Sequence, residues 1–159
     1  MTGRMYGLAM SPQLQLDGFI DRFTPDVAAQ ARRVLARMQA RLPGAVQLVY
    51  DNYNALAIGF APLRKPSTAV MSVAIYPRGV MLYFLTGASL PDPDGLLKGS
   101  GTKGRHIPDA DESMFDDAPV VALIDAAVAR ANPPFRSDAQ GELVIQSISA
   151  RQRPRRPAT

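Results

Sequence analysis

The hydrophobic period of this chain changes at Pro43-Gly44 from the three-to-four spacing of helices to the alternation of strands. Ahead of that break, Leu16, Phe19, Ile20 and Phe23 recur at i, i+3, i+4 and i+7, the apolar stripe of a short helix. Thr24-Pro25-Asp26 restarts the pattern, with Thr as the cap, Pro at the first helical position and an acid at the positive end of the dipole. Val27, Ala31, Val34, Leu35, Met38 and Leu42 carry this second helix to its stop. Arg33, Arg37 and Arg41 line its polar side, a stripe that is either solvated or faces an anionic partner.

Past Gly44, Val46, Leu48 and Tyr50 alternate with Gln47, Val49 and Asp51, and Asp51-Asn52-Tyr53-Asn54 turns the chain into Leu56, Ile58 and Phe60, a β-hairpin. Ala55, Ala57 and Gly59 make the other face of its second strand small enough for close packing. Ala69, Met71, Val73 and Ile75 predict a third strand, Pro77-Arg78-Gly79 a turn, and residues 80–85, apolar on both faces, a central fourth strand. A helix over about 117–131 stops at Asn132-Pro133-Pro134. Residues 143–148 form a last strand, at an edge or beside the first. The sum is an α+β fold: an antiparallel sheet of about five strands with N-terminal and C-terminal helices packed on one face. Residues 1–150 read as one domain.

Composition narrows the function classes. With no cysteine, disulfides, thiolate nucleophiles and Cys-ligated zinc are excluded, and a reducing, cytoplasmic setting is expected. No signal peptide or membrane-spanning run is apparent. The net charge of +4 resides in Arg151, Arg153, Arg155 and Arg156, within a tail over 151–159 whose Arg/Pro composition predicts disorder. Such a tail offers nucleic acid no more than nonspecific, salt-dependent contact.

The candidate chemistry lies in the Gly-rich loop over 87–106. Gly99, Gly101 and Gly104 match Gly-x-Gly-x-x-Gly, but neither a preceding strand nor a following amphipathic helix gives the context of dinucleotide binding. Ser100 and Lys103 have a nucleophile-base spacing without the helix that would aim them. His106, the single histidine, has no nucleophile elbow to serve. What remains is an anion-binding concavity built from Lys98, Gly99, Gly101, Lys103, Arg105 and His106, or an Ω-type loop packed by Leu90, Leu96 and Leu97. The acids Asp109, Asp111, Glu112, Asp116 and Asp117 are candidate oxygen ligands for a hard cation, or else acids favouring the N-terminus of the following helix.

Several segments together carry a resemblance: PGAVQLVYDNYNALAIGFAP, AVMSVAIYPRGVMLYFL, LPDPDGLLKGSGTKGRHI and LVIQSISARQRPRR resemble the YdhG-like family, a domain of unknown function. The resemblance implies a bacterial cytosolic protein with a frataxin-like outline and, in the manner of some relatives, an iron chaperone with weakly bound iron. It brings no residue-level site. Gly104 and Pro108 depart from the family's more strand-like continuation, which argues against a regular strand there. Three functions follow as expectations: a noncatalytic ligand or metal-ion carrier using the acids, an anion sensor or enzyme using the loop, or a protein-interaction module using the arginine stripe or the tail.

Overall fold

The computed structural model describes residues 10–158. Two helices open it, α1 (Pro12–Asp21) and α2 (Pro25–Arg41). Each begins with a hydroxyl cap followed by proline: Ser11 Oγ accepts from Leu14 N at 3.2 Å, and Thr24 Oγ1 from Val27 N at 3.4 Å. The strands β1 (Val46–Asp51), β2 (Leu56–Ala61), β3 (Met71–Tyr76) and β4 (Gly79–Phe84) follow as an antiparallel meander. A three-residue strand β5 (Arg105–Ile107), helix α3 (Ala118–Ala129) and β6 (Glu142–Ile148) complete the order.

The six strands are arranged β5-β4-β3-β2-β1-β6. β6 returns through the α3 crossover to lie parallel to β1, the connection that a parallel pair requires. Their register shifts between Val49 and Tyr50. β5 is the strand that Gly104 and Pro108 argued against. It forms between those two residues by pairing Arg105, His106 and Ile107 with Phe84, Tyr83 and Leu82, and the missing side chain of Gly104 leaves room for the Tyr83 ring.

The three described α-helices pack on one face of the sheet. Leu16 and Ile20 of α1, Ala31, Val34 and Met38 of α2, and Leu123 and Ile124 of α3 share a cluster with Val49, Ile58, Val73 and Leu82. β1, interior between β2 and β6, is buried on both sides: Val49 faces the helices, while Val46 and Leu48 join Ala61 on the helix-free face. The apolar alternation of Val46, Leu48 and Tyr50 therefore points away from the main core. No described helix is long and apolar enough to cross a membrane.

Candidate functional site

The Gly-rich loop closes on itself. Lys98 and His106 exchange both backbone hydrogen bonds, at 2.8 and 3.0 Å, and Ala88 N donates to Lys103 O at 2.8 Å. The Asp92 carboxylate accepts from Leu96 N and Leu97 N at 2.9 and 3.0 Å, while Leu90, Leu96 and Leu97 pack against the core. Arg105 Nη1 donates to Gly101 O and Gly104 O at 2.9 and 2.7 Å, and Lys98 Nζ lies 3.3 Å from Gly95 O. Gly99 takes φ 116, a conformation that favours glycine, and Lys103 is exposed. The geometry is that of an Ω-type loop whose Arg105 and Lys98 engage its own carbonyls.

The acids and the arginine stripe answer each other. Arg33 pairs with Glu112 at 3.2 Å, Arg37 with Asp116 at 2.6 Å and Arg41 with Asp125 at 2.9 Å. Hydrogen bonding to Arg37 holds the Asp116 carboxyl below its ordinary range and raises the Arg37 guanidinium. Asp111 accepts from Ser113 N at 2.9 Å and from the Ser113 hydroxyl, which lowers its carboxyl likewise. Asp117 precedes α3 without a side-chain capping bond. Asp109 has φ 52, and its Oδ1 lies 3.9 Å from where a Gly79 side chain would begin. Among the described residues no three His, Asp or Glu side chains are grouped to hold a metal ion.

The C-terminal segment corrects the expectation of a disordered tail. Arg155 is only 4% exposed, and its Nη2 donates to Asp51 Oδ1 at 2.8 Å and to Asn52 O at 2.6 Å. A carboxylate at the end of an interior strand needs a partner once it leaves water, and Arg155 supplies it. The segment is tied down further by Ser149 N and Gln152 Nε2 donating to Asp51 O, and by Arg153 N donating to Tyr53 O, each at 2.9 Å. Arg22 joins from α1's end: its Nη1 reaches Gln152 Oε1 at 2.7 Å and Asp51 Oδ2 at 3.4 Å. The Arg155 guanidinium stands 5.7 Å from the centre of the Phe23 ring, and its Nε and Nη1 are buried without hydrogen-bond partners.

This latch builds a cleft of about 580 Å³ where the segment passes the β1–β2 and β3–β4 turns. Asn54, Tyr76 and Arg78 line one side of it, and Arg153 and Arg156 the other. The three arginines are exposed, and none has a carboxylate within ion-pairing distance among the described residues. Arg153 is fixed over the Tyr53 ring at 5.8 Å, and Arg156 Nε donates to Arg22 O at 3.1 Å. Read from the sequence, Arg153 and Arg156 belong to a tail open to a protein partner or to nonspecific phosphate contact, while Asn54, Tyr76 and Arg78 belong to no candidate site. The signal that points to them is Asp51 itself, the one charge in its strand, with arginines elsewhere in the chain to meet it.

No protein-family model, no curated protein and no solved structure matches the chain.

Proposed function

We propose that this protein is a noncatalytic binding protein for a small anionic ligand, and that its site is the cleft formed by the latched C-terminal segment. The observation that carries this reading is the convergence of Arg78, Arg153 and Arg156 on one concave surface without carboxylate partners among the described residues. Guanidiniums match carboxylate and phosphate oxygens in geometry as well as charge. The cleft's volume is within the range of roughly 300–1,000 Å³ usual for small-molecule sites. Two of the three arginines are held in place through contacts of their own with Tyr53 and Arg22, so little side-chain freedom is lost when a ligand arrives.

The loop over 87–106 supports anion binding less well, because Arg105 already donates to two loop carbonyls. Iron carriage by the acid cluster has no grouped ligand set among the described residues to support it, and Glu112 and Asp116 are engaged by Arg33 and Arg37.

A thermal-shift titration with phosphate, pyrophosphate and citrate at low ionic strength tests the reading. Ligand at roughly 100 times its Kd adds about 2.7 kcal/mol to folding stability. A concentration-dependent rise in Tm that disappears in the Arg153→Ala/Arg156→Ala variant is the expected result. A Tm indifferent to all three anions overturns the assignment.

A further inference from the structure

Between its arginines the cleft is lined largely by ring-bearing residues. Tyr76 contributes an aromatic ring, and Pro77, Pro154 and Pro157 contribute pyrrolidine rings. Proline carries no rotamer entropy to lose, so these surfaces are rigid before anything binds. They suit a planar group better than a flexible aliphatic chain.

Tyr76 is placed to receive such a group. Met71, Val73 and Ile75 of β3 point into the helix-packed core, so Tyr76, one step further along the strand, has its side chain on the helix-free face. Its cross-strand partner is Gly79, which has no side chain to cover the ring from β4. Asn54, on the turn between β1 and β2, adds an amide that offers a donor and an acceptor together, the pair that matches the edge of a purine base.

We infer that the ligand is a nucleoside monophosphate, with its phosphate on Arg78, Arg153 and Arg156 and its base stacked on Tyr76. This rests on the anion-binding reading above and specifies it.

Isothermal titration with AMP, ribose 5-phosphate and adenosine separates the two levels of the inference. AMP is expected to bind at least about 10-fold more tightly than ribose 5-phosphate, the scale of one base stacked on an aromatic ring. Tyr76→Leu should remove that margin while leaving ribose 5-phosphate affinity unchanged. Asn54→Ala, on an exposed turn, should narrow the margin without touching the sheet. Equal affinities for AMP and ribose 5-phosphate sink the nucleotide assignment and leave the anion site standing. If neither phosphate compound binds, both fall. Adenosine binding as tightly as AMP removes the arginines from the site and overturns both readings as well.

Discussion

Two stretches of this chain are irregular and basic, and they use their cations in opposite ways. In the loop over 87–106, glycines bring the backbone close and Arg105 reaches back to Gly101 O and Gly104 O, so the charge holds the loop's own shape. In the segment over 149–158, one arginine, Arg155, is buried on Asp51, and its neighbours Arg153 and Arg156 stay exposed on a concave wall. The lesson is that a cation's partners distinguish a site from a scaffold better than the motif around it. The glycine-rich pattern is conspicuous in the sequence and structural in the fold. The Arg/Pro pattern looks like solvated chain and becomes both latch and cleft.

The most severe way to break this contrast is to remove the latch. Asp51→Asn keeps the shape of the side chain and leaves Arg155 buried without a countercharge, a change that typically costs about 3–5 kcal/mol. Urea denaturation should show that loss, and the double variant Asp51→Asn/Arg155→Met should recover most of it because no buried charge remains. A single variant as stable as the parent would mean that the pair contributes nothing to holding the segment.

A substitution in the loop should weaken the fold by less and leave binding intact. A Cβ at Gly87 would stand 2.6 Å from Arg105 Cβ and 3.1 Å from Arg105 N, so Gly87→Ala should cost about 1–3 kcal/mol as the loop is pushed off β5. Its anion-induced rise in Tm should match the parent's. Loss of that rise would couple the loop to the cleft and undo the contrast.

The comparison sharpens further when cations are removed from each region in turn. Lys103→Ala/Arg105→Ala should retain an anion affinity within a few-fold of the parent, whereas Arg153→Ala/Arg156→Ala should lower it by about 100-fold or more, since each charge-assisted contact is worth about 1.5–3 kcal/mol. The reverse ranking in a titration with phosphate would move the site back to the loop.

Acid gives the smallest effect. Asp116 and Glu142 are held below the ordinary carboxylate range chiefly by hydrogen bonds to Arg37 and Arg64, so the folded state takes up their protons less readily than the unfolded state. Their contribution is present above the unfolded value of about 4 and is lost as pH falls through the lower folded value. Both pairs are on the surface, so Asp116→Asn should leave Tm at neutral pH almost unchanged and make its decline below about pH 4 less steep. An identical acid profile would show that the Arg37 pair contributes no stability.

Much of the fold was legible because its signals are local. Thr24-Pro25-Asp26, the break at Pro43-Gly44 and the alternation from Val46 to Phe60 each belong to one element and state its period or its end. β5 was hidden because three residues carry no period, and because its reason for existing is the fit of Tyr83 beside Gly104, a contact between distant positions. The Arg33, Arg37 and Arg41 stripe and the acids from Asp109 to Asp117 were both visible, but their mutual pairing depends on how the 3-10 turn Glu112–Asp116 packs on α2. The cleft was illegible for the same kind of reason. Asn54, Tyr76, Arg78, Arg153 and Arg156 come from two turns, the end of β3 and the C-terminal segment, and only the closed sheet brings them together.

Asp51 and Arg155 are 104 residues apart in the chain. At a synthesis rate of about 5–20 residues per second, the carboxylate leaves the ribosome roughly 5–20 seconds before the guanidinium that neutralises it. Through that interval Asp51 has only the half-exposed Arg22 to pair with, and its buried partner is still to come. A segment made 104 residues later is thus what lets this strand finish burying its end.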